Sequence, residues 1–269
     1  MRPRALVLAA TTISVGVLLS TAAPAAATAA GAHDDIDLVA VGHPGSTGGA
    51  SLETLERHVL DAPESLQAAA LYRQEVIADS AYDRAITLFE RLSKRSDAGG
   101  NVFVNLAFAY VDKIPAAGSI RQALLGRNAI HALTRAIELA PSELPYFVRG
   151  LVNLYYDKAM FHRTDKGVAD LEEARRLATQ HNEVAYLPRI LLTLGDGYFR
   201  LDNNDKAHQM WRDGLALAPQ NESLRRRITA SYEQLRGIIT QAFDANVRVD
   251  TSLRELNLAA LAAQGGTHQ

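Results

Sequence analysis

The stretch 191–219, LLTLGDGYFRLDNNDKAHQMWRDGLALAP, constrains the fold more than any other part of the chain. Leu191, Leu194, Gly195 and Tyr198 recur at helical spacing and make one apolar stripe. Ala207, Trp211, Gly214 and Leu215 make another, and Pro219 stops that second helix. Asp202-Asn203-Asn204-Asp205 lies between them and reads as a turn. Gly195 and Ala207 let two helix backbones approach closely, and Tyr198 and Trp211 fill the space beside them. A hairpin of this length cannot bury its apolar face alone, so further hairpins must stack against it.

They are visible upstream. Phe103, Leu106, Ala107 and Tyr110 repeat the first-helix pattern, with Ala in place of Gly. Ala129, Leu133, Ala136 and Pro141 repeat the second, but ten extra residues fall in the turn, within VDKIPAAGSIRQALLGR. An irregular loop is expected at Pro115 and Gly118, with extra helix over 120–126. A third unit starts at Ser142, with Pro145 in its first turn. Tyr146, Gly150 and Ala174 hold repeat positions there, and about five residues are inserted around MFHRTDKG. A degenerate unit precedes both, carrying Ala85 and Phe89 without the Leu-Gly half. Ser51 opens a helix to about Leu60, and Asp61 with Glu64 reads as the cap of the next. A long helix is expected from Asn221 or Ser223 to about Ala245. A final one spans 253–263, opened by a Ser252/Glu255 capping box.

This order of apolar residue, Leu-Gly, Tyr, Ala, aromatic and Pro resembles the tetratricopeptide (TPR) repeat of secreted bacterial proteins. The resemblance covers 80–221. It implies an all-α, tetratricopeptide-like helical-hairpin solenoid with flanking capping helices. About four hairpins are expected over 51–264, the best being 101–141 and 188–221. It also implies a non-catalytic protein- or peptide-binding adaptor whose concave groove is lined mostly by first helices.

Arg2 and Arg4, the apolar run 5–19 and the small residues after Pro24 read as a secretory signal over 1–30. Residues 31–50 read as a flexible linker, with a short extended piece at 36–41. Loss of Arg2 and Arg4 takes the basic count from 28 to 26 against 30 acidic residues, a net charge near −4. That acidity argues against a nucleic-acid partner. The run 5–19 is too short and Ala-rich for a membrane span, and no stable span is expected after signal cleavage. With no cysteine, the chain has neither disulfides nor a thiol nucleophile. The expected setting is therefore the periplasm or the exterior, with an exported protein or peptide as partner.

Residues flanking the first-helix stripe are the groove candidates: Asn101, Phe108, Asp112, Tyr155, Asp196, Phe199 and Arg200. Their amide, carboxylate and guanidinium groups suit the backbone or terminal carboxylate of an extended peptide. Asp196 and Arg200 are also spaced for an ion pair along their own helix. Insertions at the same place in adjacent repeats fall on one edge of a solenoid. There Lys113, Arg121, Arg127, Lys158, His162, Arg163 and Lys166 make a second candidate site. It suits an acidic partner segment or, for a solute-binding or transport-accessory subunit, a small anionic ligand. No cofactor and no metal are expected. The eight histidines lack ligand spacing, and there is no Gly-rich phosphate loop, nucleophile elbow or HExxH.

Overall fold

The computed structural model describes residues 51–155, 163–182 and 185–252. Among them all regular structure is helical. Met1–His33 lies outside the described residues. The hairpins belong to Asp34–Gln269.

Eleven α-helices follow one another among the described residues: α1 Leu52–Asp61, α2 Leu66–Ala78, α3 Tyr82–Ser93, α4 Gly100–Lys113, α5 Ser119–Leu139, α6 Glu143–Tyr155, α7 Thr164–Gln180, α8 Leu187–Arg200, α9 Asn204–Leu217, α10 Glu222–Thr229 and α11 Tyr232–Ala242. α4 packs along α5, α6 along α7 and α8 along α9, and each hairpin rests on the next. The order is that of a helical-hairpin solenoid.

Local chemistry sets the helix starts. Ser51, Ser65, Asn203 and Asn221 each accept a backbone N–H from the first turn of the helix they precede. Ser80, Asn182 and Asp202 turn the chain out of α2, α7 and α8 at φ 55°, 58° and 57°. These are polar residues that tolerate the left-handed conformation glycine usually supplies.

Backbone proximity is carried by small residues. A Cβ on Gly195 would lie within the Trp211 indole, which is 0% exposed. In the third hairpin the crossing is between two glycines. A Cβ on Gly150 would meet the Gly167 carbonyl at 2.9 Å, and one on Gly167 the Gly150 carbonyl at 3.0 Å. Gly167 thus takes the place that Ala207 holds in α9, behind the five inserted residues.

Three local expectations change. Asp61 ends α1 rather than capping α2, because Ser65 supplies that cap. Glu64 acts at a distance instead: its carboxylate accepts the N–H groups of Gly99 and Asn101 at 2.8 and 3.0 Å, capping α4. The long helix after Asn221 is two helices. Its break falls at Ala230-Ser231, where Ser231 and Gln234 form a reciprocal capping box that starts α11 afresh. Tyr232, the first residue of α11, is 54% exposed. The ten-residue insertion becomes a 3-10 turn, Ile114–Ala116, and an N-terminal extension that brings α5 to 21 residues. The expected piece at 36–41 and the helix over 253–263 lie outside the described residues.

Candidate functional site

The first helices α2, α4, α6 and α8 share one face, and an extended segment that follows α11 lies on it. Arg73 of α2 donates to the Thr251 carbonyl at 2.9 Å. Arg189 of α8 donates to the Asp250 carbonyl at 2.6 Å. The Thr251 hydroxyl donates to Asp112 of α4 at 2.5 Å. Arg248 turns the other way, donating to the Asp112 carbonyl at 3.0 Å and the Tyr82 hydroxyl at 2.8 Å. At the near end Phe243 packs edge-on against Tyr155, with ring centroids 5.3 Å apart.

A cavity of about 200 Å³ lies between segment and helices. Phe108, Val111, Phe147, Val148, Leu151 and Tyr155 wall one side; Ala245, Val247, Val249 and Thr251 wall the other. Asp250 lines the cavity as well, and Ala245 and Val247 belong to a turn closed by the Val247 N–H donating to the Asp244 carbonyl at 2.9 Å, from which the chain continues extended. The lining is mostly apolar.

Three of the seven groove candidates meet here. Phe108 lies beneath the Arg73 guanidinium, 4.6 Å from its ring centre. Asp112 pairs with Arg73 and holds Thr251. Tyr155 donates to the Ala242 carbonyl at 3.0 Å, and burial pushes its hydroxyl well above the ordinary tyrosine range. Arg200 is close by, donating to the Leu154 carbonyl at 2.6 Å and lying over the Phe243 ring.

The other three serve the scaffold. Asn101 is bound to the Glu64 carbonyl at 3.1 Å, next to the cap on α4. Phe199 packs on Trp211 and Tyr232. Asp196, spaced to pair with Arg200, is 0% exposed and takes the Arg227 fork instead, at 2.6 and 2.8 Å. The Trp211 indole adds a third donor at 3.1 Å. Burial pushes the Asp196 carboxyl upward, and Arg227 pulls it back.

The insertion edge is not assembled as one site among the described residues. Arg121, Arg127 and Lys166 are exposed. Lys113 pairs with Asp83. Arg163 donates to Asn153 at 2.7 Å, joining a network in which Arg149 grips Asp170 at 3.0 and 2.6 Å. Lys158 and His162 lie outside the described residues. No three His, Asp or Glu side chains come together as metal ligands among the described residues.

Arg73, Arg189 and the segment itself escape the sequence reading. Arg189 and Thr193 continue the Asp196/Arg200 stripe toward the start of α8, and Arg73 stands among Ala69, Ala70 and Val76 on the buried side of α2. A buried arginine on an apolar stripe is the signal that would have exposed both.

The class these features define is a solenoid of tetratricopeptide type. A thermophilic TPR protein of Thermus thermophilus superposes with a TM-score of 0.51 at 23% identity, over 66% of this chain and 86% of that one. MamA aligns with a TM-score of 0.47 at 19% identity, over 70% and 95% of the two chains. No protein-family profile matches the chain, and no curated protein does.

Proposed function

We propose that the protein is an exported, non-catalytic scaffold that binds an extended segment of a protein partner on the face formed by its first helices. One observation carries this: the face already holds an extended segment, and two buried guanidinium groups grip adjacent carbonyls of it. Carbonyls are common to all peptides, and a helix would keep them for itself, so these donors select an unfolded segment. The cavity beside it takes side chains, not a charged solute. Export is supported by Arg2, Arg4 and the apolar run that follows. No helix among the described residues is long and apolar enough to cross a membrane.

Affinity capture from a cell-envelope extract tests the reading. The parent is compared with Arg189→Ala, which weakens the groove, and with Arg121→Ala/Arg127→Ala, which alters only the insertion edge. A partner lost with the first and kept with the second is expected. A partner lost only with the second places the site on the edge and overturns the groove.

A further inference from the structure

We infer that residues 247–251 are a built-in, replaceable occupant of this groove. We further infer that the external ligand is an extended segment with larger apolar side chains at the two inward positions held here by Val247 and Val249. The inference rests on the scaffold reading above and names both its ligand and its control.

Adjacent carbonyls of an extended chain point in opposite directions. Those of Asp250 and Thr251 are taken by arginines from α8 and α2, helices with α4 and α6 between them. Nothing in that pair of bonds depends on side-chain identity, so a segment from another chain fits the same donors. Selectivity falls to two features. One is Asp112, which accepts the Thr251 hydroxyl and therefore favours Ser or Thr there. The other is the cavity.

Val247 and Val249 face that cavity across from Phe108, Val111, Phe147 and Val148. Apolar walls without atoms opposite them forgo dispersion contacts, and a longer side chain would recover both those and its own transfer energy. The resident segment is thus undersized for its groove. It holds its place because it is tethered through α11, which keeps its effective concentration high. Arg248 adds a latch outside the groove, through Tyr82 and the Asp112 carbonyl. An external segment must therefore displace a weaker but tethered competitor.

Fluorescence anisotropy with two synthetic peptides tests this. One copies residues 244–252, and the other carries Leu at both inward positions. Each is titrated into the full chain, into the full chain with Arg248→Ala, and into the full chain with Val249→Asp; melting curves identify folded variants, and either variant suffices. The copy is expected to bind the released variants at least tenfold more tightly than the parent. The Leu peptide should gain about fourfold per added methylene over the copy. Equal affinity for parent and released variants would show that the segment occludes nothing. A Leu peptide no tighter than the copy would overturn the undersized fit. Absence of binding to folded, released variants would overturn the replaceable occupant, and a partner still captured through Arg189 would then leave the scaffold reading standing alone.

Discussion

Arg73 and Asp112 stand on the first helices of neighbouring hairpins, 3.0 Å apart, with side chains 1% and 2% exposed. Each also holds Thr251: Arg73 through its carbonyl and Asp112 through its hydroxyl. Two charges this deeply buried need every bond they can make, since desolvation cancels much of their attraction. Thr251 gives one bond to each member of the pair, leaving the Arg73 Nε as the buried donor still unmatched, and so the last described segment is joined to the second helix.

Thr251→Val removes the hydroxyl donor to Asp112 while keeping the shape of the side chain. A loss of about 1–3 kcal/mol in urea unfolding is expected, because a buried carboxylate oxygen is left without its partner. Thr251→Ser should restore most of it. If Ser and Val behave alike, the hydroxyl is not what holds the segment.

Gly195→Leu should cost about 2–3 kcal/mol, since even a Cβ there enters the Trp211 indole. Trp211 is the sole tryptophan, so its fluorescence reports the displacement directly. An unchanged melting midpoint would mean that α8 and α9 meet elsewhere.

Asp196→Ala alone leaves Arg227 buried without its carboxylate, and should cost about 3–5 kcal/mol. Asp196→Leu combined with Arg227→Met should cost much less than the two single changes summed. A double-mutant cycle in urea measures the coupling. Additive costs would show that the pair contributes no mutual stabilisation.

Burial, with help from Glu172 at Tyr198, pushes the Tyr72 and Tyr198 hydroxyls up to about 12. In the unfolded chain they titrate near 10. Between these values the native state keeps protons that the unfolded state has lost, so stability falls as pH rises above about 10. Melting midpoints followed from pH 9 upward should drop, and drop less in Tyr72→Phe/Tyr198→Phe. Equal drops would assign the alkaline loss to other groups.

The α8–α9 hairpin was legible because Gly195, Tyr198, Ala207 and Trp211 are fixed by close packing, which tolerates few residue types. The same rule gave α4 and α5 through Leu106, Ala107 and Leu133, insertion included. Gly167 escaped because the inserted residues hid its register. The break at Ser231 escaped because Leu224, Ile228, Leu235 and Ile239 keep helical spacing across it. The groove was half legible: first-helix stripes point to Phe108, Asp112 and Tyr155, but not to what lies on them. Residues 247–251 have no helical period, and their alternation of Val, Arg, Val, Asp and Thr acquires meaning only beside an apolar face. Asp196 misled for a related reason. A carboxylate at the edge of a stripe looks available for a ligand until a distant arginine, here Arg227, is known to reach it.

Hydrogen exchange of the full chain carrying Arg248→Ala, with and without a saturating peptide that copies residues 244–252, tests the groove most directly. Slowed exchange is expected in α2, α4, α6 and α8 and at the start of α5, where Ser119, Gln122 and Ala123 line the cavity, with α7 and α9 unaffected. Protection centred on residues 156–166, with α2 and α8 unaffected, would move the site to the insertion edge and refute the groove.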